Sequence, residues 1–289
     1  MLKRIAMVAP LALALAGLMG CSSAEEMSEE LGVAQARASS ASGETAQETF
    51  ERLVPADAEP GGLAVETDDY SFKVTWPRQV SAIPALAAQM EAQAQAERAS
   101  FAAQALETKA EAQEFDFSYR PYTSTLEWNV VANTPRFLSL LADSTVYTGG
   151  AHGNSTFRTL VWDREAQEGQ GAEVAVMDVF TSAADFDAAA RDTYCARLDE
   201  MRLERFPDVY RPIMASGQNT CPALAELNLV LGTKSSDAID ELGLLAAPYV
   251  AGAYAEGSYG VRVPVTVDII AVVQPAYRAD FAPGPQADQ

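Results

Sequence analysis

The chain has 289 residues, 40 of them acidic against 20 basic, for a formal charge of −20 at pH 7. A surface of that sign repels phosphate backbones, and no Lys/Arg cluster with interleaved aromatics offsets it, which excludes nucleic acid as a partner. Two readings of the charge stay open: plain solubility and the steering of basic proteins toward the surface.

In chain order, Lys3 and Arg4 precede an apolar run from Ile5 to Met19, which closes on Leu18-Met19-Gly20-Cys21. The run is too short to cross a hydrocarbon core of ~30 Å comfortably. The arrangement resembles a bacterial lipoprotein signal. That resemblance implies a signal peptide over residues 1–20, acylation of the Cys21 sulfur, and an envelope location. Ser22 after the cysteine points to the outer membrane, facing the periplasm. An ordinary secretory signal cleaved nearby is the alternative. No other segment approaches ~18 uninterrupted apolar residues, so the lipid would be the only membrane attachment. Removing Lys3 and Arg4 with the signal takes the formal charge to −22.

With Cys21 assigned to lipid, Cys195 and Cys221 remain. An isolated pair in an oxidising envelope is most simply a disulfide. Neither CxxC spacing nor a zinc ligand set is present, since one histidine and two cysteines supply too few soft ligands. No metal or cofactor is expected.

Residues 21–60 are rich in Ala, Ser, Glu, Gly and Gln and bury too little to offset ordering entropy, so they read as a tether. The tail, residues 279–289, reads as loose in the same way. Tyr70, Phe72, Val74 and Trp76 alternate with polar residues, which is strand periodicity. Beyond Pro77 and Pro84, the residues Ile83, Leu86, Met90, Ala94, Phe101 and Ala105 mark one buried stripe of a helix reaching about Ala112. A meander is expected next: Phe115, Phe117 and Tyr119; Leu126, Trp128 and Val130; Phe137 to Tyr147; and Phe157, Thr159 and Val161. Pro121, Asn133-Thr134-Pro135 and the Gly-rich stretch from Gly149 to Asn154 separate these segments, as antiparallel turns do.

Val174 to Phe180 reads as a short strand, and Ser182 with Asp185 as the capping box of a helix whose inner face is Phe186, Ala190, Tyr194, Leu198 and Met201. Leu227, Leu229 and Leu231 alternate, Ala246 to Val250 adds a further strand candidate, and Val261 to Ile269 alternates most clearly. Pro264 puts that last strand at an edge or beside a bulge. The pattern is α+β: antiparallel sheets each packed by a helix, in two subdomains that share one compact body.

The stretch Tyr147-Thr148-Gly149-Gly150-Ala151-His152-Gly153-Asn154 resembles the RsiV-like C-terminal domain family of exported bacterial proteins. The return strand Thr156 to Trp162, the segment Met177-Asp178-Val179-Phe180, and Gly257-Ser258-Tyr259-Gly260-Val261-Arg262-Val263-Pro264 follow that family's order. The part upstream is similar to the domain named after the deacetylase PdaC, through its strand-helix-strand order. The resemblance implies a PdaC-type subdomain at 61–134 and an RsiV-like domain at 135–278. It also implies a role in binding, because the family includes an anti-sigma factor that binds lysozyme, whereas the catalytic domain of its deacetylase members has no counterpart here. A basic envelope protein such as lysozyme, or a glycan, is the implied partner.

His152 is the only histidine. No Gly-x-Ser-x-Gly elbow or HExxH pattern accompanies it. Its first reading is structural, with ring nitrogens bonded to the backbone of a glycine-rich turn that Asn154 caps through an Asx turn. Ligand contact by Tyr147, Gly149, Gly150, His152 and Asn154 is the second reading, and catalysis the third. Trp128, Trp162 and Tyr122 are candidate sugar platforms, with core packing as their alternative. The chain therefore reads as a tethered, non-catalytic binding module, the alternative being an envelope enzyme acting on peptidoglycan or another glycan.

Overall fold

A computed structural model describes residues 53–285, apart from 219 and 236. The signal, Cys21 and most of the expected tether lie outside the described residues, as does the end of the tail.

The first sheet starts earlier than the strong alternation. β1 (Gly61–Glu66) pairs antiparallel with β2 (Tyr70–Trp76) across a turn in which the Thr67 hydroxyl accepts the Asp69 and Tyr70 N–H groups at 3.2 and 3.0 Å. Every second residue of β2 turns inward, so Tyr70, Phe72, Val74 and Trp76 are all buried. Pro84, its missing N–H harmless at a helix start, opens α1 (Pro84–Glu114). The buried stripe of α1 is Leu86, Met90, Ala94, Phe101, Ala105 and Ala112, close to the helical periodicity of the sequence.

Because α1 carries the chain back along the sheet, β3 (Tyr122–Asn133) lies parallel to β2, with Tyr70 opposite Tyr122. All other strand pairs are antiparallel. β4 (Phe137–Tyr147), β5 (Asn154–Asp163) and β6 (Ala172–Val174) complete a six-stranded sheet in sequence order. α2 (Ala183–Arg205) follows, its Ser182 cap accepting the Asp185 N–H at 3.0 Å as the sequence requires. The helix α3 (Pro207–Ala215) leads toward a second sheet of β7 (Asn228–Gly232), β8 (Glu241–Ala246) and β9 (Tyr259–Pro264), antiparallel and in that order.

Burial gives the layers. Leu138, Leu140, Leu160 and Trp162 join the α1 stripe on one face of the large sheet. Val131, Leu141 and Phe157 on its other face meet Val230 and Leu245 of the small sheet. The opposite face of the small sheet, with Leu229, Leu231, Leu242, Leu244, Val261 and Val263, packs on Phe186, Ala190, Tyr194 and Leu198 of α2. The order is therefore helix, sheet, sheet, helix, an α+β arrangement with a helix outside each sheet.

Five sequence expectations are corrected. The tail is not loose over its described part, where Phe281 is buried and the Ala282 and Gly284 N–H groups donate to the Ile239 and Val265 carbonyls at 3.0 and 2.8 Å. Phe115, Phe117 and Tyr119 form no strand: α1 runs on to Glu114, Asp116 adopts φ 53°, and Phe115 and Phe117 stay exposed while only Tyr119 packs. Val174 to Phe180 is mostly a 3₁₀ turn (Val176–Val179) that buries Val179. β8 begins before Ala246 and ends there, so Ala246 to Val250 is largely loop. The alternation through Ile269 breaks at Pro264, after which Thr266 caps α4 (Val267–Val272) by accepting the Ile269 N–H at 3.2 Å. Pro264 does lie on an edge strand, β9.

Candidate functional site

The turn between β4 and β5 spans residues 148–153, with Val146 opposite Asn154 at its base. Gly149 takes φ 88°, a left-handed conformation that favours a residue without Cβ. Tyr147 ends β4, and its hydroxyl accepts from Arg120 at 3.3 Å. Asn154 does not sit within the turn but opens β5. His152 is exposed at the tip.

Its Nδ1 lies 2.9 Å from the Gly153 carbonyl oxygen, which can only accept, so Nδ1 carries the proton in this contact. The same carbonyl accepts from the Tyr254 hydroxyl at 3.0 Å. The His152 and Tyr254 rings stack with centroids 4.2 Å apart and planes 25° from parallel. Tyr249 extends the set, its ring 5.3 Å from that of Tyr254. Three rings from two distant parts of the chain thus form one surface. Tyr249 is 67% exposed and adopts φ 74°. For a bulky side chain that conformation costs about 1–2 kcal/mol, and strain of this kind clusters at functional sites.

A buried polar network supports the loop that carries Tyr249 and Tyr254. Arg202, 2% exposed on α2, donates through Nε to the Ala251 carbonyl at 3.2 Å and through Nη2 to the same oxygen. It also reaches the Thr220 hydroxyl and carbonyl, each at 3.1 Å, and stands over the Tyr210 ring. Glu256 accepts from Tyr259 at 2.7 Å, Tyr210 at 2.8 Å and the Ala253 N–H at 2.9 Å. Burial opposes the charge on Glu256, but these donors outweigh it and hold the carboxyl below its ordinary range. Burial, and then donation to Glu256, push the Tyr259 phenol up. A Cβ at Gly252 would fall 2.3 Å from a Glu256 oxygen, so a larger residue there would push the carboxylate off these donors.

The Cys195–Cys221 bond is formed and joins α2 to the segment that Arg202 holds at Thr220. Trp162 and Tyr122 are buried against α1, and Trp128 is packed beside them, so the sugar-platform reading of these three rings is replaced by core packing. Among the described residues no group of three His, Cys, Asp or Glu side chains is placed to hold a metal ion.

Sequence reasoning reached His152 but missed Tyr249, Tyr254, Arg202 and Glu256. One signal was available. In a chain this acidic, residues 144–157 and 242–255 contain no Asp, Glu, Lys or Arg. Those two uncharged stretches meet in the ring cluster, whereas residues 212–225, equally free of charge, contribute no ring to it.

Residues 63–155 match the family described as "Deacetylase PdaC", a stretch that includes β4 and the turn with His152. No curated protein matches the chain. Among solved structures, the chain is similar to a DUF3298 family protein from Pseudomonas aeruginosa PAO1, at 15% identity and TM-score 0.40, over 79% of this chain and 98% of that one. It is also similar to a DUF3298 family member from Bacteroides fragilis, at 13% identity and TM-score 0.42, over 78% of this chain and 97% of that one.

Proposed function

We propose that this protein is a non-catalytic binding module of the bacterial envelope, tethered through lipid on Cys21 and facing the periplasm from the outer membrane. Its contact surface is the tip formed by His152, Tyr254 and Tyr249. The observation that carries the reading is the exposed, strained Tyr249 held beside two stacked rings on a polar network. Loops fixed by a rigid scaffold are where binding residues concentrate. The Gly153 carbonyl at Nδ1 and the Tyr254 ring on one face fix the imidazole in place at the tip.

The RsiV-like resemblance of residues 147–154 and the acidic composition support an envelope partner, either a basic hydrolase of the lysozyme kind or the cell-wall glycan. The test uses residues 21–289 with Cys21→Ser, incubated with isolated cell walls and with immobilised lysozyme at low and moderate salt. Retention on either, lost in Tyr254→Ala, is the expected result. Retention on neither, or retention indifferent to Tyr254→Ala, contradicts the proposal.

A further inference from the structure

We infer that the ligand of the Tyr249–Tyr254–His152 surface is an uncharged oligosaccharide, one sugar ring lying on the exposed face of Tyr249; this rests on the binding-module reading above. The first argument is charge. The chain carries 40 acids and 20 bases, yet the two segments that build the surface, residues 144–157 and 242–255, carry none of either. A basic protein steered by the acidic surface would draw its electrostatic attraction from outside these two segments. Arg120, which donates to the Tyr147 hydroxyl at the base of the same hairpin, adds positive charge on that side and gives a cationic ligand no counter-charge. A quaternary ammonium would also favour ring faces, but no carboxylate of these segments is present to neutralise it.

The second argument is shape and polarity. A sugar ring presents a face of C–H groups and a rim of hydroxyls. The negative face of an aromatic ring suits the former. The exposed Thr148 and Asn154, a hydroxyl and an amide on the same hairpin, supply donors and acceptors for the latter. The third argument is preorganisation. Tyr249 is held in a left-handed conformation beside Tyr254, whose own hydroxyl is bonded to the Gly153 carbonyl, so the platform is built before any ligand arrives. Holding a ring ready in this way reduces the ordering cost of binding.

The experiment is calorimetric titration of residues 21–289, with Cys21→Ser, by β1,4-linked N-acetylglucosamine tetraose. Tyr249→Asn is the main variant, because Asn tolerates the left-handed backbone and removes only the ring. Saturable binding by the wild type, weakened by about tenfold or more in Tyr249→Asn and retained in Tyr249→Phe, is expected. Absence of saturable binding, or equal binding by Tyr249→Asn, overturns the inference. So does binding of choline in place of the tetraose. If the tetraose fails while cell walls or lysozyme still retain the wild type and not Tyr254→Ala, the sugar assignment falls and the binding-module reading stands. If both fail, both fall.

Discussion

Arg202 and Ala251 are 49 residues apart, and the buried guanidinium of the first donates two hydrogen bonds to the carbonyl oxygen of the second. This contact fixes the ring-bearing loop to α2. Truncating Arg202 leaves the Ala251 and Thr220 carbonyls without their donor in a buried setting. The predicted cost for Arg202→Met is about 3 kcal/mol, read from urea unfolding midpoints. Arg202→Lys recovers only part of it, since an ammonium cannot reproduce the planar fork.

The disulfide gives a second prediction. It closes a separation of 26 residues between α2 and the segment that Arg202 also holds. Cys195→Ser is expected to lose about 3.5 kcal/mol in the chain-entropy account of loop closure. On a non-reducing gel the wild type migrates ahead of its reduced form, and the variant shows no such difference. An unchanged shift in Cys195→Ser would sink the pairing.

Glu256 supplies a pH dependence. Its carboxyl is held below the ordinary value of 4.5, because donors from Tyr259, Ala253 and Tyr210 overcome the cost of burial. A lowered folded pKa stabilises the fold fully above 4.5, and that part is lost as pH falls through the folded value. The stability gap between wild type and Glu256→Gln therefore shrinks on acidification below about pH 4.5. Burial pushes Asp240, Glu241 and Asp280 the other way, so they add stability as they take up protons in both proteins. Denaturation curves across the acid range check this, and a gap that stays constant contradicts it.

Gly171 tests the core against α1. It adopts φ 80°, and an added Cβ would fall 2.4 Å from the indole Nε1 of Trp162. Gly171→Ala is predicted to cost about 2 kcal/mol through strain and overpacking, with a red shift of tryptophan emission. Unaltered stability and emission would mean that Trp162 is packed differently.

Much of the fold is legible in the residues because burial here follows simple periods. The α1 stripe from Leu86 to Ala105, the alternation of β2 and the Ser182 cap all appear where the pattern puts them. The period misleads where a backbone preference intervenes. Val261 to Ile269 alternates throughout, yet the strand ends at Pro264, which cannot donate to a ladder, and Thr266 starts a helix. Phe115 and Phe117 alternate with no partner strand beside them. The site is only half legible for a related reason. His152 stands out as the sole histidine, but its contact with Tyr254 joins positions 102 residues apart and has no local signature. Arg202 lies in the stripe of α2, where the helical period marks a buried position and the residue type suggests an exposed one.

The account depends on the rings of His152, Tyr254 and Tyr249 forming one contact surface. Since the chain has a single histidine, the carbon-bound proton signals of its imidazole report on that surface without ambiguity. The direct measurement is their NMR shift in residues 21–289 with Cys21→Ser, free and with soluble cell-wall glycan strands. The account predicts upfield signals in the free protein that relax in Tyr254→Ala, and that move as glycan saturates the wild type. Signals at unstacked positions, or signals that stay fixed while glycan is bound, would contradict it.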